Sequence, residues 1–377
     1  MDNARVAPRE LVVSIDAMGG DNAPQAIVDG VAIAHVRHPK VKFLLHGDHA
    51  RLQPALLGKP AVKNVAQVVH CDDTVGMDDK PSQALRRGRN TSMWRSIDAV
   101  RSKEAQVAIS AGNTGALMAM SVFQLRTIPG LSRPAIAAIW PTIRGQTVVL
   151  DVGANVDSDA RQLVDFAILG EAYARVIFGI DRPSVGLLNI GAEEVKGNDA
   201  VKAAFAALRA PGVPMRFHGF VEGDDISAGT VDVVVTSGFT GNIALKTAEG
   251  TARLIGHYIR SAMARSLFSR IGYLFAKPGF GILRQKMDPR AVNGGVFLGL
   301  NGTIVKSHGG TDGTGFATAI DLAVEMAQSD FPSRIADAMS HLPASFAALG
   351  GPKANAAEPA DAASAAEIPN TMTEPAA

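Results

Sequence analysis

The chain has 377 residues, of which 47% are hydrophobic and 19% charged, and its formal net charge is +1. This balance is typical of a folded globular protein and gives no overall electrostatic preference for nucleic acid. The single cysteine, Cys71, excludes an internal disulfide and a thiolate metal cluster, and we interpret it as a buried structural thiol rather than a nucleophile.

Short apolar runs alternate with helical patterns along the chain. Strands are predicted at residues 11–15, 41–45, 65–69, 107–109, 147–150, 185–188 and 231–235. Helices are predicted at residues 24–38, 81–102, 160–178 and 199–208. This alternation predicts a three-layer α/β/α fold with a mainly parallel sheet. We expect one domain over residues 1–345, followed by a disordered tail rich in Ala, Pro and Glu over residues 346–377.

Five loops rich in Gly and Asn follow predicted strands, and a sixth precedes a helical stretch. They cover residues 16–24, 110–116, 151–155, 189–198, 236–242 and 307–313. Each loop alone is better explained as a tight turn that needs positive φ. Together they predict a binding site for phosphate or another oxyanion at one edge of the sheet, where helix N-termini offer free N–H groups. Neither a P-loop nor a convincing dinucleotide fingerprint is present.

Longer blocks around these loops resemble, in the same order, those of the bacterial phosphate:acyl-carrier-protein acyltransferases. The blocks are Val13-Ser-Ile-Asp-Ala-Met-Gly-Gly-Asp-Asn-Ala-Pro24 and residues 80–87, 110–118, 150–156, 188–191 with 196–198, and 238–242. The resemblance covers about residues 10–340. It implies a homodimer with a fold similar to phosphotransacetylases and isopropylmalate dehydrogenases.

The implied reaction moves a long-chain acyl group from acyl carrier protein to inorganic phosphate. The acyl-phosphate product serves glycerophospholipid synthesis, with a glycerol-phosphate acyltransferase as the downstream partner. Phosphate attacks a thioester and a thiolate leaves, so the enzyme must mainly position its substrates and stabilise an oxyanion. The reaction implies no cofactor, and the sequence contains no His or Cys set with the spacing of a metal site.

Loop position and the resemblance together indicate the site residues. Lys196 is expected to hold phosphate or offset transition-state charge, and Asn242 to donate a hydrogen bond to the carbonyl or phosphate oxygen. Residues expected to bind substrate or phosphate are Asp16, Gly19, Gly20, Asp21, Asn22, Asn113, Thr114, Gly115, Asn155, Asn198, Gly238, Gly241 and His308. Helix capping by the two aspartates, and a structural role for the histidine, are alternatives of about equal weight.

Two basic segments predict contacts with partners. Docking of the acidic carrier protein is expected at Arg86, Arg87 and Arg95, with Arg89, Arg101 and Lys103 nearby, although a solvated helix face fits equally well. Residues 253–286 contain seven basic and no acidic residues among apolar ones, which predicts a helical arm over about residues 253–286 on an anionic membrane. Two helices with a bend, ending near residues 278–279, fit the pattern better than one straight helix. The residues expected at the membrane are Arg260, Leu267, Phe268, Ile271, Leu274 and Phe275. A dimer-interface hairpin is the alternative, and the two roles are compatible.

No apolar run approaches the ~20 residues of a membrane span, and no signal peptide is predicted. We therefore expect a cytoplasmic protein that associates peripherally with the inner face of the cell membrane. Three alternatives remain: a coenzyme A-dependent phosphotransacylase, a decarboxylating dehydrogenase of the same fold, and a membrane-recruited scaffold of lipid synthesis. The sequence lacks the dinucleotide fingerprint and the acidic metal cluster that a dehydrogenase of this fold would need. A pure scaffold would not need six ligand loops.

Overall fold

Strands and helices alternate along the residues that the computed structural model describes, which are 10–211, 213, 215–286, 293–329, 331, 334 and 335. The strands are β1 Val12–Asp16, β2 Lys42–Gly47, β3 Ala66–His70, β4 Val107–Ser110, β5 Ala135–Thr142, β6 Gly145–Leu150, β7 Ser184–Leu188, β8 Arg216–Val221, β9 Val233–Val235, β10 Gly295–Leu298 and β11 Thr303–Lys306. The helices are α1 Gln25–Arg37, α2 His49–Leu57, α3 Pro60–Lys63, α4 Pro81–Arg87, α5 Ser92–Arg101, α6 Thr114–Leu125, α7 Ala160–Phe178, α8 Asp199–Leu208, α9 Gly223–Ala228, α10 Gly238–Ala264, α11 Leu267–Lys286 and α12 Gly313–Gln328.

These strands form one mixed sheet in the order β3-β2-β1-β4-β11-β10-β5-β6-β9-β7-β8. The first parallel group consists of β1, β2, β3, β4 and β11. The second parallel group consists of β6, β7, β8 and β9. Between the groups, β10 pairs antiparallel with β11 and with β5, and β5 pairs antiparallel with β6. Three successive reversals leave the two parallel groups running in opposite directions.

The opposed directions correct the expectation that all six Gly-rich loops meet at one edge of the sheet. The loops after β1, β4 and β11 leave at one edge, which we call the first edge. The loops after β6, β7 and β9 leave at the opposite edge, the second edge. Apolar periodicity identifies a buried strand but carries no information on its direction, so the sequence patterns could not reveal the reversal.

Helices cover both faces of the sheet, which confirms the predicted α/β/α class. Successive strand residues point to opposite faces. Val148 and Leu150 of β6 therefore pack into one hydrophobic cluster with α1, α7 and α12, whereas Val149 packs into a second cluster with α5 and α6. Ala244 and Ala248 place α10 against the second cluster.

All seven predicted strands form, with ends shifted by one or two residues. The sequence patterns missed β5, β8, β10 and β11. In β5 the pattern is interrupted by Pro141, which the strand tolerates because pairing with β10 stops at Ala138 and only β6 lies alongside it. The single helix predicted over residues 81–102 is divided, because the Thr91 side chain caps α5 by accepting a hydrogen bond from Trp94 N.

Helices α10 and α11 form the predicted projecting arm, with a bend between Ala264 and Leu267. The predicted end of the arm near residues 278–279 is wrong, because α11 continues through Pro278 to Lys286. A proline removes one helical hydrogen bond and kinks a helix without necessarily ending it. No helix in the described part of the chain is long and apolar enough to cross a membrane. The expected domain end at residue 345 and the tail over 346–377 lie outside the described residues.

Candidate functional site

The loop after β1 is organised around the buried carboxylate of Asp16. This carboxylate accepts hydrogen bonds from Ser92 Oγ at 2.6 Å and from Ser110 Oγ at 2.7 Å. Burial raises the pKa of Asp16, although both hydroxyl donors favour its charged form. A Cβ at Gly19 would lie 2.5 Å from Asp16 Oδ2, so the loop closes tightly over the carboxylate. Asp16 is 1% exposed and therefore lies beneath the loop, where it joins the segments after β1 and β4.

The loops after β1 and β11 interlock at the first edge. The backbone N–H of Asp21 donates to the carbonyl of Gly309 at 2.9 Å, and Asn22 Nδ2 donates to the carbonyl of Thr311 at 3.0 Å. Gly20 has a φ of +100°, a conformation that residues with a side chain rarely adopt. The predicted ligand residues of this loop are thus held in place mainly through backbone groups.

Helix α6 begins at the same edge. Asn113 caps it, since Oδ1 accepts from Ala116 N at 3.0 Å while Nδ2 donates to the carbonyls of Met77 and Asp79, in the loop before α4. The carboxamide of Asn113 is therefore occupied within the protein. Thr114 and Gly115 supply the first two N–H groups of the helix. The first N–H groups of a helix have no intrahelical partner, so they remain available to an anion.

A half-buried lysine that the sequence analysis missed lies beside these loops. Lys306 ends β11 and donates hydrogen bonds to the carbonyls of Ala111, at 3.4 Å, and of Ser307. Burial lowers the pKa of Lys306 to about 8, the positive charge of Lys246 acts in the same direction, and the carboxylate of Asp16 opposes both. A lysine at the end of a strand next to a Gly-rich loop is the sequence signal that could have identified it.

Helix α10 brings two further charged groups to the first edge. Lys246 Nζ donates to Glu249 Oε2 at 3.0 Å, and Glu249 Oε1 lies 3.6 Å from His308 Nε2. Burial lowers the pKa of His308, while the carboxylate of Glu249 opposes that shift. The predicted ligand residue His308 thus contacts a charged pair of α10 that the sequence analysis did not single out.

A second buried carboxylate organises the loop after β6 at the second edge. Asp151 accepts hydrogen bonds from the backbone N–H groups of Gly153 at 3.1 Å, Ala154 at 2.9 Å and Asn155 at 2.8 Å. Asn155 Nδ2 also donates to Asp151, at 2.8 Å. Burial raises the pKa of Asp151, and these donors oppose the shift. Asn155 Oδ1 is buried and has no hydrogen-bond partner among the described residues.

The start of α10 packs directly on this loop. A Cβ at Gly238 or at Gly241 would overlap backbone carbonyl oxygens of the loop, so both positions require glycine. Asn242 lies against Gly153, since a Cβ built on that glycine would be 3.4 Å from Asn242 Cβ. Asn242 itself is exposed, which leaves its carboxamide accessible to a ligand.

One flank of α10 connects the two sets of loops. Asn242, Lys246 and Glu249 follow at spacings of four and three residues and therefore share one side of the helix. Asn242 contacts the loop after β6, and Glu249 contacts the loop after β11. At a rise of 1.5 Å per residue these two ends are about 10 Å apart along the helix. Loops from opposite edges of the sheet thus border the same helix flank.

The predicted catalytic Lys196 lies on the loop after β7, at the second edge. Its side chain is 48% exposed, and Nζ lies 3.9 Å from Glu193 Oε1. Asn198 caps α8, because its Oδ1 accepts from Val201 N at 2.9 Å. Among the described residues no hydrogen bond joins Lys196 to Asn242, although their loops follow neighbouring strands.

A cavity of about 960 Å³ lies along the other flank of α10. Asn198 and the first turn of α10 line one of its ends. Cys71 contributes to neither cavity nor loops; it is buried, and burial raises its thiol pKa to about 11, as expected for a structural thiol.

The residues predicted to meet partners lie on the surface. Arg86, Arg87 and Arg95 are exposed on α4 and α5. On the arm, Arg260 is exposed, and the apolar side chains are exposed at Phe268, Ile271, Leu274 and Phe275. The side chain of Leu267 lies outside the described part of the structure.

Sequence comparison identifies close relatives. The model of a family described as fatty acid synthesis protein matches residues 11–334. A phosphate acyltransferase of Parvibaculum lavamentivorans is 57% identical over 348 residues, which cover 92% of this chain and 96% of that protein. A phosphate acyltransferase of Xanthobacter autotrophicus is 60% identical over 324 residues, which cover 86% of this chain and 91% of that protein.

Solved structures share the fold at low sequence identity. A phosphotransacetylase from Streptococcus pyogenes superimposes with a TM-score of 0.56 at 16% identity, covering 85% of this chain and 95% of its own. A branched-chain phosphotransacylase from Enterococcus faecalis superimposes with a TM-score of 0.54 at 16% identity, covering 84% of this chain and 99% of its own. Both agree with the predicted likeness to phosphotransacetylases.

The lowered pKa of Lys306 predicts a specific dependence of stability on pH. Above about pH 8 the folded protein has lost this proton, whereas an unfolded chain keeps it until about pH 10. The unfolded state then binds more protons, so this lysine makes the free energy of unfolding rise with pH in that window. From pH 7 to 9.5 we expect wild type to gain about 2 kcal/mol relative to Lys306→Met in urea unfolding. Lys63→Met, at an exposed position, is the control. An equal pH response of wild type and Lys306→Met would contradict the assignment.

Proposed function

The chain belongs to the fatty acid synthesis protein family and, within it, to the phosphate acyltransferases, and from this premise we propose that it transfers a long-chain acyl group from acyl carrier protein to inorganic phosphate. The acyl-phosphate product would supply glycerophospholipid synthesis, with a glycerol-phosphate acyltransferase as the consumer. The protein would act in the cytoplasm, at the inner face of the cell membrane.

The observation that carries the proposal is the uncapped start of α10. Ser237 makes no capping hydrogen bond with its side chain, so the first N–H groups of a long helix remain open. Asn242 is exposed one turn further on, and the Lys196 loop follows the neighbouring strand. Helix N-termini bind phosphate through these N–H groups and the helix dipole.

The attack of phosphate on a thioester requires little proton transfer. A phosphate oxygen forms a bond to the carbonyl carbon, the carbon–sulfur bond breaks, and the thiolate leaves and takes a proton from water. Inorganic phosphate already carries negative charge at neutral pH, and a thiol has a pKa of about 8.5, so it leaves readily as the thiolate. The residues therefore act by positioning and by charge stabilisation, with Lys196 near phosphate and Asn242 donating to the developing oxyanion.

The first-edge loops would complete the phosphate-binding side. Lys246 and Lys306 provide positive charge there, and Gly19, Gly20, Thr114 and Gly115 provide backbone donors. Asp16 would act indirectly by fixing the loops, since it is buried beneath them.

Purified protein should release free carrier thiol from a long-chain acyl carrier protein only when phosphate is present. Lys196→Ala and Asn242→Ala should each lower kcat/KM by about 10²–10³-fold, as loss of one oxyanion-stabilising group does. Lys202→Ala, in the first turns of α8, is the matched control. No acyl-phosphate from wild type would refute the function, and a Lys196→Ala enzyme that keeps a third of its activity would refute that residue's role.

The carrier protein is proposed as the acyl donor because exposed basic residues lie, along the chain, between the Gly-rich loops that follow β1 and β4. In the described part of the chain, no carboxylate lies within ion-pair distance of Arg86, Arg87 or Arg95. Unpaired arginines suit an acidic partner, and such contacts act mainly on association.

Replacing Arg86 and Arg87 together by Glu should raise KM for acyl carrier protein about tenfold, because two attractive contacts become repulsive. The KM for phosphate should stay the same, and Arg216→Glu, exposed on β8, should change neither. A wild-type enzyme that prefers acyl-coenzyme A would instead favour the coenzyme A-dependent phosphotransacylase.

The arm is proposed to contact an anionic membrane. Its apolar side chains are strongly exposed, with Phe268 at 86% and Phe275 at 81%, and Phe268, Ile271 and Phe275 share one side of α11. Exposed apolar surface flanked by basic residues is typical of interfacial helices. We also propose a homodimer, in which the same arm could meet a second copy.

Phe268→Ser combined with Phe275→Ser should abolish cosedimentation with phosphatidylglycerol vesicles at low salt, because the inserting side chains are lost. Val36→Ser combined with Leu57→Ser, two exposed apolar positions outside the arm, should leave it unchanged. If the arm variant instead becomes monomeric and the wild type does not cosediment with vesicles, the arm is a dimer contact and the membrane proposal fails.

A further inference from the structure

The cavity along α10 has no charged lining. Its walls come from one flank of α10, from the loop after β7 and from α9, and they include Trp140 and Ile226. In the part of the chain that the structure describes, none of the lining side chains is Asp, Glu, Lys, Arg or His. An uncharged cavity of about 960 Å³ is in the range of ligand sites for small molecules and suits an apolar guest.

The cavity is long as well as apolar. Along α10 it extends from Thr240 to Ile255, and these two residues are about 22 Å apart at 1.5 Å per residue. An extended polypeptide gains ~3.6 Å over three backbone bonds, so a hydrocarbon chain with similar bond angles gains roughly 1.2 Å per bond. The cavity therefore matches an extended chain of about 18 bonds, which is the length of a common long-chain acyl group.

The two carboxamides of the cavity lining lie at one end, whereas lining hydroxyls, such as those of Thr247 and Thr251, continue along α10. Asn189, Asn198 and Ser237 line the end at the start of α10, next to the loop that carries Lys196. Beyond the first turn, α10 presents Ala244, Ala248 and Ala252 to the cavity, and these small side chains keep it open. The carboxamides favour the orientation in which the polar head of a ligand lies at the start of α10 and its apolar tail extends along the helix.

We propose that this cavity holds the acyl chain of the substrate, with the thioester at the start of α10 and the methyl end toward Ile255. The inference rests on the proposed acyl transfer and adds the location of the chain and the residue that limits its length. Ala248 lies eight residues after Thr240, about 12 Å along the helix. A large side chain there would stop a chain after roughly ten bonds while leaving room for a shorter one.

The polar flank and the cavity flank lie on opposite sides of the same helix. Asn242, Lys246 and Glu249 face the Gly-rich loops, whereas Ala244, Ala248 and the other cavity residues lie about half a turn away. Phosphate and the acyl chain would thus approach the start of α10 from different sides. This arrangement keeps the apolar tail away from the charged groups that hold the anion.

The test compares Ala248→Phe with Gly250→Phe, which adds the same bulk two residues away, where a Cβ would meet no atom within 4 Å. Ala248→Phe should lower kcat/KM for palmitoyl carrier protein about 10³-fold, the loss expected when the roughly five methylene groups beyond the tenth bond are no longer buried. The kcat/KM for octanoyl carrier protein should change less than threefold. Gly250→Phe should leave both values near wild type.

A binding measurement separates this inference from the proposed function. The fluorescence of parinaric acid, a long-chain polyene, should rise on binding to wild type and to Gly250→Phe, and should not rise with Ala248→Phe. If the wild type makes no acyl-phosphate but the three proteins bind parinaric acid as expected, the proposed acyl transfer is refuted and the assignment of the cavity to an apolar chain is supported. If Ala248→Phe does not fold, Ala252→Phe, four residues further along, should lower palmitoyl turnover to a smaller extent.

Three results would overturn the assignment. Equal losses with palmitoyl and octanoyl substrates would place Ala248 outside the path of the chain. Unchanged parinaric acid binding in a folded Ala248→Phe protein would place the apolar ligand elsewhere. A change of oligomeric state without a change of chain-length preference would make the cavity part of a contact between copies.

Discussion

The close contact between the start of α10 and the loop after β6 is the constraint on which the site depends. Gly238 and Gly241 have no side chains, and only this absence lets the helix approach the backbone carbonyls of the Asp151 loop. The contact fixes the position of the first turn of α10. The start of α10 in turn determines where three features lie. These are the polar flank beside the Gly-rich loops, the cavity on the other flank, and the arm.

Two buried carboxylates, Asp16 and Asp151, support the loops on either side of this helix. Each accepts several hydrogen bonds from hydroxyl or backbone donors, and burial raises the pKa of each. Neither is placed to touch an anion, and negative charge close to phosphate would oppose binding. Their role is to hold backbone donors in position, which explains why acidic residues begin loops that are proposed to bind anions.

The sequence predicted much of the fold and the loops, but not their arrangement. Apolar runs identified seven strands, and the ordered motif blocks identified the family, which the relatives at 57–60% identity confirm. The directions of the strands depend on β5 and β10, which were missed because β5 contains Pro141 and β10 begins at Gly295, directly after Asn293 and Gly294, where the sequence resembles a turn. Lys306 was missed because one lysine after an apolar run carries no periodic signal, and its burial depends on loops distant in sequence. The cavity was not foreseen either, because its walls come from separate elements that only the folded chain brings together.

The uninterrupted length of α10 ties distant parts of the molecule to one another. Its 27 residues extend for about 40 Å, with the glycine-packed end at the sheet and the other end in the arm. A helix of this length moves largely as a rod, so a tilt imposed on the arm must also change the width of the cavity and the distance between the polar flank and the loops. Whatever surface the arm rests on is thereby mechanically connected to the place where the two substrates would meet.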